Sequence, residues 1–172
     1  MFKMTLSIQF DKLTRNPAID GHPYDWKLDD AVSVLWNICT AIDERKAALF
    51  HVEGFGDPKW PVDVQCDLAI LVEQLPATLF RLDSPTTETC SVDFFEQGIE
   101  RCLTLSQEGD AIKILCVSSR ANWTPEPNFV LIQKAALHEM CSTILNTFVS
   151  AAKIECPRTT EHDVFREWLQ TE

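Results

Sequence analysis

The strongest constraint on how this chain folds is a hairpin written into residues 98–119. Gln107-Glu108-Gly109-Asp110 carries the Gly/Asp step of a tight reversal, and the segments on both sides alternate in polarity. Arg101, Leu103 and Leu105 share parity with Ile112, Ile114 and Cys116, so antiparallel pairing gives the hairpin one apolar face. Moving the turn by one residue shifts each partner by two and leaves that face intact. Such a face needs a cover, and the rest of the chain supplies helices.

The first helix is expected from about Leu28 to Lys46, opened by Asp29 and Asp30, two acids suited to a helix N-terminus. Its apolar stripe is Leu28, Ala31, Leu35, Ile38, Cys39 and Ile42, widened by Val32 and Trp36. Alternation at Leu6, Ile8 and Phe10 predicts a first strand, and a short second strand is expected near 49–53. Residues 62–75 read as a helix with Asp63 and Asp67 near its start and Pro76 as its stop. The apolar centre at 68–72 keeps a strand open as an alternative. The longest helix is expected over 128–155, after Pro125-Glu126-Pro127. Phe129, Ala136, Met140, Ile144 and Phe148 line one side of it and Leu131, Leu145 and Val149 the other, which predicts a central, largely buried helix. Thr160-Glu161-His162-Asp163 has the pattern of a capping box opening a short helix near 161–170. Strands and helices do not alternate in a βαβ rhythm. The expected fold is therefore a single α+β domain, 1–172, with an antiparallel sheet packed against helices.

Chemical signatures are few. Gly54-Phe55-Gly56 lacks the third glycine of a dinucleotide fingerprint, and neither a P-loop nor a Gly-x-Ser-x-Gly elbow occurs. His138-Glu139-Met140-Cys141-Ser142 has serine where a zinc helix needs its second histidine. The seven cysteines form no CxxC pair and fit no zinc-ribbon spacing. No metal, no cofactor and no enzymatic activity are expected. The residual enzymatic reading is a small thiol or carboxylate hydrolase, with Cys141 and His138 as the nearest dyad. The N-terminus has no signal-peptide core and no apolar run reaches the roughly 18 residues of a membrane span. With thiols that read as reduced core residues, a cytoplasmic location is expected.

Charge is the most uneven property of the chain. Its net charge is −11, which argues against nucleic-acid and anionic-membrane partners. Residues 1–50 and 111–172 each carry six basic against seven acidic residues, whereas 51–110 carry three against twelve. The middle third thus holds −9 of the −11. Its acids fall on turns and helix starts: Asp57, Asp63, Asp67, Asp93, Glu96, Glu100, Glu108 and Asp110. Phe55 and Trp60 lie among them on a Gly/Pro loop, the aromatic-plus-charge pattern of a binding hot spot. These ten residues are the expected contact set for a cationic partner. The competing reading makes the acids a solvated shell and Trp60 a core plug.

Phe94-Phe95-Glu96-Gln97-Gly98-Ile99-Glu100-Arg101, running into a strand and an acidic hairpin, is similar in style to segments of immunity proteins from bacterial contact-dependent and other polymorphic toxin systems. Size and acidity agree with that resemblance. It implies function by binding: neutralisation of a cognate toxin domain, often a nuclease with a basic active site, by a protein that is monomeric alone. The runner-up is an acidic secretion chaperone, which such proteins resemble in size and class and which would be a homodimer.

Overall fold

The computed structural model describes residues 1–25, 30–84, 88–96 and 98–170. Leu28 and Asp29 of the first expected helix, and Gln97 of the segment that carries the resemblance, lie outside the described residues. The architecture is α+β, with two antiparallel sheets and three main helices. A two-stranded sheet pairs β1 (Lys3–Ile8) with β2 (Ala48–Glu53). A four-stranded sheet has the order β3 (Cys90–Phe94), β4 (Arg101–Glu108), β5 (Ala111–Ser118) and β6 (Phe129–Gln133). The helices are a single turn α1 (Pro17–Asp20), α2 (Ala31–Glu44), α3 (Asp67–Asp83), α4 (Lys134–Glu155), a single turn α5 (Pro157–Thr160) and α6 (Asp163–Leu169).

The hairpin pairs in the expected parity. Leu103 faces Cys116 and Leu105 faces Ile114, all four buried, across a two-residue turn at Gly109-Asp110. Gly109 takes φ +64, the left-handed value that the turn requires and glycine adopts without steric cost. Asp30 caps α2 by accepting from the Ser33 N–H at 3.0 Å, a bond that lowers its carboxyl pKa. The buried stripe of α2 is Val34, Leu35, Ile38, Cys39, Ala41 and Ile42; Val32, expected to widen it, is exposed.

Three elements depart from the sequence reading. Pro76 does not stop the helix but lies buried inside α3, which starts at Asp67 and runs on to Asp83. A proline in a helix interior costs about 3 kcal/mol, and here it is outweighed by packing, because residues 67–72 are all buried. That makes α3 the central helix. The segment over 128–155 instead divides: 129–133 extend as an edge strand and only 134–155 are helical. Leu131 therefore points outward from the sheet rather than into a core. One face of α4 is buried, through Leu137, Cys141, Ile144, Leu145, Phe148, Ala151 and Ala152, while Ala136 is exposed. Phe129 and Leu131, expected on opposite sides of a helix, instead share one exposed face of this strand. The third departure is smaller: β1 ends at Ile8 with Phe10 exposed in a 3-10 turn, and α6 begins at Asp163, capped by His162.

The inner face of the four-stranded sheet meets α3, α4 and β1, where Leu71, Leu75, Leu137 and Cys141 close on Leu103, Leu105 and Ile114. Two buried carboxylates pin the chain ends to this body. Asp20 accepts from Arg15 at 2.6 Å and from the Arg158 N–H at 2.7 Å; Glu155 accepts from the Thr14 N–H at 3.1 Å.

Candidate functional site: the base of the hairpin

The Gly/Pro loop folds inward. Gly54 and Asp57 exchange backbone hydrogen bonds at 2.8 and 3.0 Å around Phe55 and Gly56, at φ +58 and +85. A phenylalanine at positive φ is strained, and burial holds it there: its ring lies 5.5 Å from Phe2 and 6.2 Å from Trp60. A Cβ on Gly56 would meet the Glu126 carbonyl oxygen at 2.4 Å, so only glycine permits the loop to dock there. Trp60 is fixed at both ends, its backbone N–H on Val52 and its indole N–H on the Gly54 carbonyl at 3.2 Å. Phe55 and Trp60 are each 1% exposed. Neither ring is available to a partner, and the expectation that they anchor one is corrected: the loop closes on the core.

Trp60 has a second role. The Arg101 guanidinium lies between its ring and that of Trp123, 4.2 and 3.6 Å from the two centroids, and donates to Asp57 Oδ2 at 2.7 Å. This stack ties the loop, the hairpin base and the 119–128 connection together. The charge of Asp57 is therefore matched internally. Asp67 is lost to the surface as well. At 3% exposure its Oδ2 accepts from the Asp63 N–H, while its buried Oδ1 has no hydrogen-bond partner among the described residues. Burial, with the charges of Asp63 and Glu96 nearby and against the Asp63 N–H bond, pushes its carboxyl up to about 6. Asp63 returns the contact by accepting from the Cys66 and Asp67 N–H groups, which caps the turn leading into α3.

The remaining acids separate into two groups. Glu108 and Asp110 are exposed at the hairpin tip, where Lys113 approaches Glu108 at 3.5 Å and Lys134 and His138 share a cleft with Asp110. Asp93, Glu96 and Glu100 gather at the base, with exposed Asp63 beside Glu96 and Asp67. The length of β4 places tip and base about 23 Å apart at roughly 3.3 Å per residue. That exceeds the screening length of about 8 Å at physiological salt, so they do not act as one field.

At the base the structure adds a residue that the expected contact set did not include. Phe95 is 65% exposed and lines an open groove of about 290 Å³ with Asp93, Phe94, Glu100, Arg101, Cys102 and Ser119. Phe94 is fully buried against Trp60, so the strand alternation that drives one ring inward drives the next outward. The Phe94-Phe95 doublet at a strand end carried that signal. The groove floor is rigid: the Gln74 side-chain amide pairs with the Asp93 N–H and C=O at 2.8 and 2.9 Å, and Glu100 C=O accepts from Ser119 N–H. Arg120 donates to the Gly98 carbonyl and holds the connecting turn.

Burial holds every cysteine thiol above its ordinary pKa. Burial raises Cys66 and Cys102 to about 11 and Cys141 to about 12, with neighbouring carboxylates adding to the first two. His138 faces Asp83 at 3.3 Å, and Cys141 is buried. Among the described residues no group of three or more His, Cys, Asp or Glu is placed to hold a metal. No described helix is long and apolar enough to cross a membrane.

No known family model, curated protein or solved structure matches this chain.

Proposed function

We propose that this chain is a binding protein that captures a cationic partner surface at the hairpin base. The observation that carries the reading is Phe95, an exposed aromatic ring among Asp93, Glu96 and Glu100 at the mouth of a braced groove. Interfaces draw most of their energy from a few such rings in a charged surround, and clustered like charge speeds capture of an opposite one. The contact set is thus narrower than ten residues: Asp63, Asp93, Glu96 and Glu100, with Phe95 in place of Phe55 and Trp60.

The partner class follows from the resemblance to immunity proteins: a basic toxin domain, such as a nuclease, met in the cytoplasm of the producing cell. The test is protection. A basic toxin domain encoded beside this chain should be harmless when the two are co-produced, and toxic again with Phe95→Ala plus Glu96→Lys and Glu100→Lys. Full protection by that variant, folded to the wild-type melting temperature, refutes the reading.

One observation favours the homodimeric chaperone reading. Phe129 and Leu131 stand exposed on the free edge strand β6, beside exposed Val117 on β5. A dimer in sedimentation that Leu131→Lys converts to monomer would support it.

A further inference from the structure

Two strands of the four-stranded sheet are written for cover on both faces, and the chain itself covers one. Strands buried on both faces read as continuous apolar runs, whereas a solvated face leaves an alternation. β4 alternates: Leu103 and Leu105 are buried inward, and Cys102, Thr104 and Ser106 take the outer face. β5 and β6 do not. Ile114-Leu115-Cys116-Val117 and Phe129-Val130-Leu131-Ile132 are unbroken apolar runs, so both sides of these strands are apolar. Ile112, Ile114 and Cys116 are buried on the inner face, yet Val117, Phe129 and Leu131 stand exposed on the outer one.

Phe95 belongs to that same outer face, because it shares parity with Ser91 and Asp93. The pairings Asp93↔Cys102↔Val117 and Leu115↔Phe129 order the exposed apolar residues into a band. With strands about 4.8 Å apart and a rise of roughly 3.3 Å per residue, Leu131 lies about 24 Å from Phe95, with Val117 and Phe129 between them. The band begins at the groove among Asp93, Glu96 and Glu100 and runs away from these acids toward β6. Resting on the reading that the hairpin base captures a cationic surface, we propose that the partner continues from the base as an amphipathic helix. That helix is basic at the end that meets Asp93, Glu96 and Glu100, and apolar where it lies over Val117, Phe129 and Leu131.

Charge and shape select that occupant. Lys113 is the one cation that the four strands direct outward, and it is engaged on the face itself, 3.5 Å from Glu108 and 4.8 Å from the Phe129 ring centroid. The face thus offers three acids at one end and an uncharged band beyond, whose complement is basic at one end only. A band is long and narrow, and a helix of about 16 residues at 1.5 Å per residue spans it. Helices already cover the inner face, and a helix laid on the outer one completes a second layer with anchors spaced three and four residues apart. A second copy fits poorly. Stacked face to face, its base acids meet either their own counterparts or Glu108 and Asp110 at the tip, and like charges brought together oppose association.

The probe is a blocked, fluorescent synthetic helix of alanine and leucine, with its leucines on one face and arginines confined to one terminal turn. A twin of the same composition has its leucines scattered around the helix, and an oligoarginine peptide carries the charge alone. Fluorescence anisotropy should show the amphipathic helix binding about tenfold or more tighter than either comparator. Val117→Thr with Leu131→Thr, which keeps β-branched residues on both strands, should remove that advantage and leave oligoarginine binding unchanged. Equal affinity of the amphipathic helix and its scattered twin, or an advantage kept by the threonine variant folded to the wild-type melting temperature, overturns the helix alone. Failure of oligoarginine to bind at the base overturns the base reading and this inference with it. A wild-type dimer in sedimentation that the threonine variant dissolves also overturns the inference, since a second copy would then cover the face.

Discussion

Replacing Asp67 by asparagine should reshape how stability responds to acid. The carboxyl is 3% exposed, has one oxygen without a partner among the described residues, and is pushed up to about 6 from an ordinary 3.8. A folded-state pKa above the unfolded value means that the native state binds the proton more tightly. Above pH 6 both states are ionised and the native state bears the cost of a buried charge; below 3.8 both are protonated and the cost is gone. Stability from this group therefore rises as pH falls from about 6 to about 4, opposite to an ordinary paired carboxylate. The gap of about two pH units corresponds to about 3 kcal/mol at 1.36 kcal/mol per unit. Asparagine keeps a carbonyl oxygen for the Asp63 N–H and has no charge to bury. Urea unfolding of both proteins between about pH 4 and pH 7 measures the difference in unfolding free energy, which should shift in favour of Asp67→Asn by about 3 kcal/mol across that window. A constant offset from the asparagine N–H groups does not alter the slope. Parallel curves would refute the assignment of Asp67 as a buried, unmatched acid. They would also restore it as a candidate surface charge.

Trp60→Ala should lower stability by about 3–5 kcal/mol, because it opens a core cavity and strips one face from Arg101; circular dichroism melts check this, and a loss under 1 kcal/mol contradicts the burial. Arg101→Ala should cost about 3–5 kcal/mol by leaving Asp57 without its partner, and the double variant with Asp57→Ala should recover part of that. Phe95→Ala should change the melting temperature little, since exposed substitutions stay within about 0.5 kcal/mol, yet weaken partner capture by about 2 kcal/mol. Alkylation of Cys66 and Cys102 should be slow at pH 8 and accelerate toward pH 11; a fast thiol at neutral pH would revive the hydrolase reading.

The fold was most legible where local pattern and tertiary environment agree. The β4–β5 register followed from parity alone, because one buried face leaves no second solution. Pro76 and Leu131 misled for the same physical reason: tertiary packing decides whether an apolar run becomes helix or strand, and no local rule includes it. The acidity of 51–110 was plain in the sequence, but its division was not. Asp57 meets Arg101 across 44 positions, and Asp67 turns inward on the first turn of α3. Trp60 read equally well as anchor or core plug until its contacts with Phe94 and Arg101 decided for the core. Phe95 needed only strand parity, applied to a doublet whose first member is buried.

Amide chemical-shift mapping with a short oligoarginine peptide tests the hairpin-base site most directly. Capture at the base predicts shifts clustered at Asp93–Glu96, Glu100–Cys102 and Ser119, lost at high salt and in Glu96→Lys with Glu100→Lys. Shifts centred on Glu108 and Asp110, or spread evenly over every exposed acid, would contradict it.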